Sequence, residues 1–84
     1  MSWNRIAALG GKKLRAVTPD DDNDLPDGPC RALWVGTIGN ISVILDGDTS
    51  AVVLKNVNEL LPFEVRRVLS TNTTADDIVA VYGR

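Results

Sequence analysis

Cys30–Thr49 reads CRALWVGTIGNISVILDGDT, and its pattern decides the fold. In Cys30–Val35, Arg31, Leu33 and Val35 alternate with Cys30, Ala32 and Trp34. In Asn40–Leu45, Ile41, Val43 and Leu45 share one face, opposite Ser42. A period of two is the mark of a β-strand, whose side chains point alternately to the two sides of a sheet. Gly36 and Gly39, lying between the two segments, predict a strand-to-strand turn. Asp46–Gly47–Asp48–Thr49 predicts a hairpin, because Asp-Gly suits the tight turns whose twist matches that of the strands.

Working outward, further strands are predicted at Ala51–Lys55, Phe63–Leu69 and Ile78–Tyr82. Alternation in Phe63–Leu69 slips at Arg66–Arg67, and a bulge there accounts for the change of phase. Thr71–Asn72–Thr73–Thr74 reads as a turn. Ile78–Tyr82 is apolar on both faces, so it is central or covered by another chain. Strands at a spacing of roughly ten residues predict an all-β fold, a small β-sandwich or barrel of about five to six short strands.

Charge divides the chain in three. Residues 1–18 form a basic N-terminal arm carrying Arg5, Lys12, Lys13 and Arg15 and no acid. Residues 19–28 form an acidic Pro/Asp-rich linker with Asp20, Asp21, Asp22, Asp24 and Asp27, read as a solvated loop. Residues 29–84 form the β domain. In the extended arm, Trp3, Ile6, Ala7 and Leu9 fit one face of a short helix capped by Ser2 and ended by Gly10–Gly11. A helix of about eight residues is too short to hold alone in water, so it needs a partner surface.

At 84 residues, a single domain buries only about 60% of the surface its unfolded chain exposes. Cys30 is the lone cysteine and histidine is absent, which excludes an internal disulfide and the Cys/His zinc sites. Oligomerisation, or docking on a larger body, remains as the source of stability. No window approaches the roughly 18 apolar residues of a membrane span. Met1–Leu14 is too broken by charge and glycine for a signal peptide. The expectation is a soluble protein made in the cytoplasm, with no membrane partner.

Catalytic chemistry finds little to work with. Asp20, Asp22 and Asp24 have the spacing of the first ligands of a calcium loop. Leu25, however, stands where glycine is required and Arg31 where a bidentate glutamate belongs. Gly36 and Gly39 are followed by neither the lysine nor the helix of a phosphate loop. Asp76–Asp77 sits where turn acids belong, and Cys30 has no histidine to activate it. No catalytic residue, cofactor or metal ligand is expected, and the chain is not read as an enzyme.

Arg66 and Arg67, on a strand, would point to opposite faces, one pairing with a carboxylate such as Glu64 and the other facing a partner. Trp34 suits core or interface. The basic arm could neutralise phosphates, but only Trp3 is available for stacking. A protein neighbour is therefore the expected partner in place of nucleic acid.

Several motifs together resemble a family. They are the Asp-Leu-Pro loop, the small-Gly turn at Gly36 after an aromatic strand and the strand end Lys55–Asn56–Val57. The Leu61–Leu69 strand and the Thr73–Tyr82 terminus complete the set. From Ala16 to Tyr82 the chain resembles short phage and gene-transfer-agent virion proteins of the head-spike base kind. The resemblance implies a non-enzymatic homo-oligomer, pentamer or trimer, on the capsid exterior of the virion. Its partners would be the major capsid protein and a spike fibre protein. A trimeric decoration (cement) protein or a tail component is the near alternative. A monomeric β module binding nucleic acid or a host-surface polymer is the alternative of another class. The expected docking arm is Trp3, Arg5, Ile6, Leu9, Lys12, Lys13 and Arg15. The expected oligomer interface is Leu33, Trp34, Arg66, Arg67, Val79 and Val81, because a marginal core gains by burying apolar residues between subunits.

Overall fold

A computed structural model describes residues 11–83. Its five strands are β1 (Lys13–Ala16), β2 (Ala32–Leu45), β3 (Val52–Leu61), β4 (Val65–Leu69) and β5 (Asp76–Tyr82). The all-β expectation holds, with every strand pair antiparallel. The proposed helix and the residues Trp3, Arg5, Ile6 and Leu9 lie outside the described residues.

One long strand organises the rest. The two segments expected to flank a turn are joined in β2, which runs through 14 residues without reversing. Its N-terminal half pairs with β5 on one side and the end of β3 on the other. Its C-terminal half pairs with β4 and the start of β3. The odd residues Leu33, Val35, Ile41 and Val43 all enter one core, together with Val65 and Val68 of β4 and Ile78, Ala80 and Tyr82 of β5. A single strand thus contributes to both halves of the core, which lets so short a chain close around one.

Gly36 and Gly39 make no turn; the chain that opens β5 crosses them too closely for a side chain. A Cβ on Gly36 would lie 2.9 Å from Asp77 Cβ, and one on Gly39 would lie 2.5 Å from Ala75 N. Small residues in a strand often mark such an approach of another backbone. Thr74 and Ala75 both donate their backbone N–H to Asn40 O, at 2.8 and 3.0 Å. Thr74 Oγ1 accepts from Asn40 N and Thr73 Oγ1 from Ser42 N, both at 2.9 Å.

The predicted bulge falls where the alternation slipped: Leu45 pairs with Val65 but Ile44 with Arg67, leaving Arg66 as the extra residue. The Ser70–Thr73 turn closes with Thr73 N donating to Ser70 O at 3.3 Å, Asn72 taking a left-handed φ of 67°. The β2–β3 hairpin exists with a longer connection than the expected tight turn. Asp48 N donates to Leu45 O at 3.0 Å, and Gly47 does not take a positive φ, so the turn is of the ordinary, unprimed kind.

Candidate functional site

Two surfaces stand out. On the outer side of the four-stranded half, the register places Ala16, Val79, Trp34 and Leu60 in one row across β1, β5, β2 and β3. The next row holds Leu14, Val81 and Ala32. A solvent-facing sheet surface normally alternates to polar residues, and this one does not. Leu14 is 64% exposed, Ala16 is exposed, and Trp34, Leu60 and Val79 are half-buried. Further along β2 the same parity presents Ile38, 58% exposed. Ala32 and Val81 are buried, and the rest of the surface, with Leu14, Ala16 and Ile38 exposed, marks an interaction site.

Of the expected interface residues, Trp34, Val79 and Val81 belong to this outer face. Leu33 lies on the opposite side, fully buried in the core. Arg66 and Arg67 are brought elsewhere, to the second surface. Ala16 and Leu60 went unnoticed in the sequence, since their place in the row depends on register.

The second surface is the acidic segment 19–28 laid along the outer edge of β4. It is no solvated loop. Asp20 N donates to Val68 O, Leu25 N to Arg66 O and Cys30 N to Val65 O, at 2.8, 2.8 and 2.9 Å. Because Arg66 is the bulge residue, it and Arg67 do not diverge to opposite faces. Arg66 Nη1 and Arg67 Nε both donate to Asp24 Oδ1 at 2.8 Å. The expected pairing with Glu64 is replaced by this shared carboxylate. Asp21 accepts from Thr71 N at 2.9 Å and from Thr71 Oγ1 at 2.6 Å. Asp20 accepts from Asp22 N, Asn23 N and Asn23 Nδ2, a local turn that shapes the segment.

These contacts hold the three carboxyls below the ordinary aspartate value. For Asp24 the chief cause is the Arg67 hydrogen bond, for Asp21 the Thr71 hydroxyl, and for Asp20 the Asp22 amide. A depressed folded-state pKa adds stability that is present above the unfolded value, 3.8 here, and lost as pH falls through the folded one. Thermal midpoints should therefore be flat above about pH 5 and fall in more acid solution. Asp24→Asn should lower the plateau and flatten the acid slope. An unchanged slope in that variant would show that Asp24 holds nothing.

The basic arm's described residues sit on or beside β1. Arg15 Nε lies 3.0 Å from Asp27 Oδ2, and Lys13 Nζ stands 5.4 Å over the Tyr82 ring. Lys12 is exposed and donates its N–H to Tyr82 O at 2.6 Å. Cys30 is buried, and burial pushes its thiol pKa up, so it stays a neutral thiol. Among the described residues no group of three or more Cys, His, Asp or Glu is arranged to hold a metal ion.

No family profile and no curated protein matches the chain. Among solved structures, it is similar to a chain from the capsid of a native gene transfer agent particle computed with C5 symmetry. The two are 30% identical with a TM-score of 0.73, over 84% of this chain and 82% of that one. The chain belongs to the virion proteins of phages and gene transfer agents. For this virion protein, a structural role in the particle agrees with surfaces built for contact: an apolar outer face and a guarded strand edge.

Proposed function

We propose that this virion protein forms a fivefold ring on the capsid exterior, a spike base that sits at a vertex and seats a fibre. The observation that carries the reading is the likeness, over more than four-fifths of both chains, to a chain of a gene transfer agent capsid computed with C5 symmetry. A ring needs two different patches on each copy that meet head to tail. The outer face with Trp34 and Val79 supplies one of them. The edges of β4 and β3 are less suited to the task. Segment 19–28 covers β4, and β3 is interrupted by two left-handed residues, Asn56 at φ 56° and Glu59 at φ 62°. Irregularities of that sort blunt an edge against pairing.

The docking arm, Trp3, Arg5, Ile6, Leu9, Lys12, Lys13 and Arg15, would meet the major capsid protein. Repeating a weak contact around a symmetric ring raises the overall affinity by orders of magnitude with no new contact.

Native mass of the purified full-length chain tests the ring. The expected value is five times the 9.1 kDa chain mass. Trp34→Asp should give monomers that keep their β-sheet circular dichroism. A trimer would replace the spike base with a decoration protein. A monomer with steeply salt-dependent binding to nucleic acid would favour the binding-module class.

A further inference from the structure

We infer that Thr18–Gly28 is a detachable strap, latched by Asp21 and Asp24, that opens separately from the sheet and uncovers the edge of β4. The inference stands on the described residues of one chain and does not depend on the fivefold reading.

Three observations support it. First, the strap is held mainly by polar contacts. Asp24 is clamped by Arg66 and Arg67, and Asp21 by Thr71, while Arg67 Nη1 also donates to Asp21 O at 3.1 Å. Leu25 is the strap's apolar residue packed against the core. Second, the strap does not lie flat. Beside its hydrogen bonds to β4, a cavity of about 410 Å³ lies between the strap and Val68, Ala80 and Tyr82. Close packing between strap and core is incomplete there, which weakens the coupling of the strap's opening to that of the core. Third, the strap has a hinge. Gly28 has a φ of 85° at its end, a conformation that glycine reaches without strain.

Segments with few buried apolar contacts open in local units at lower free energy than the whole fold. Opening this one frees the carbonyls of Arg66 and Val68, which the strap amides of Leu25 and Asp20 now occupy. An edge with free carbonyls is a template for another strand. The protein thus keeps that edge closed while its two aspartates stay ionised and latched.

Native-state amide hydrogen exchange on the full chain tests this. In Asp21→Asn/Asp24→Asn, the amides of Asp20 and Leu25 should exchange at least tenfold faster than in wild type. The amide of Arg31, which donates to Val81 O inside the sheet, should change less than twofold. In wild type, low urea should leave strap exchange unaffected while speeding that of the sheet, a readout that needs no variant. An equal factor at strap and sheet would overturn the inference, because the strap would then open only with the whole fold. Unchanged strap amides would overturn it too, since the carboxylates would not be latches.

Discussion

Gly39→Ala is expected to destabilise the domain by about 3 kcal/mol, the upper part of the range for forced overpacking. The new Cβ would lie 2.5 Å from Ala75 N, 2.7 Å from Ala75 Cα and 2.8 Å from Thr74 C. All three are backbone atoms, so no side chain can swing aside. Nor can the 74–75 segment back away freely. It is tied to β2 by the amides of Thr74 and Ala75 on Asn40 O and by the two threonine hydroxyls. Relief would break bonds that join the start of β5 to the middle of β2. For a domain of this size, about 3 kcal/mol corresponds to a fall in Tm of roughly 12–24 °C. Gly47→Ala is the control. Nothing lies within 4 Å of its Cβ position and its φ is not positive, so its effect should stay within about 0.5 kcal/mol. Equal Tm values for the two variants would show that the 74–75 crossing is slack.

The same glycine shows where sequence reading succeeds and where it stops. Alternation is a local property, and it pairs Leu33 with Val35 and Ile41 with Val43 within their own segments; only the unbroken β2 puts all four on one face. It also locates the bulge at Arg66–Arg67, since an extra residue changes the phase of the pattern itself. Gly36 and Gly39, by contrast, have two physical uses, turning the chain or admitting another chain close by. Only the position of residues 74–77, almost 40 places downstream, decides between them. The resemblance to spike-base proteins included the Gly36 position and the Thr73–Tyr82 terminus as separate features. In the fold they touch, with Thr37 Oγ1 donating to Asp77 Oδ2 at 2.8 Å.

The acidic segment was opaque for a related reason. Five aspartates with two prolines and a glycine look like solvated chain by composition. The partners of Asp21 and Asp24, namely Thr71, Arg66 and Arg67, lie more than 40 residues away. The bulge at Arg66 is what turns both guanidiniums toward one carboxylate. The expected interface includes both Leu33 and Trp34, though adjacent strand residues must face opposite ways. One was bound for the core, and the register with Val79 and Leu60 shows that Trp34 is the outward one.

Tyr82→Ala carries the second large expectation, a loss of about 4 kcal/mol, as for other large aromatic residues removed from a core. Tyr82 is 1% exposed and is among the largest side chains wholly within the fold. Its ring packs in the core under Lys13, and its hydroxyl donates to Gly28 O at 2.9 Å. It therefore joins the last strand, the first strand and the end of the strap at one point. Tyr82→Phe separates the two contributions. Keeping the ring and losing one partly buried hydrogen bond should cost about 1 kcal/mol. Urea unfolding reads both as midpoint shifts at constant slope. A Tyr82→Phe loss as large as that of Tyr82→Ala would assign the stabilisation to the Gly28 tie, making the strap's hinge part of the core's stability. The expected fourfold ratio assigns it to the ring. The tie to Gly28 is then the smaller contribution, which is what a strap able to open alone requires.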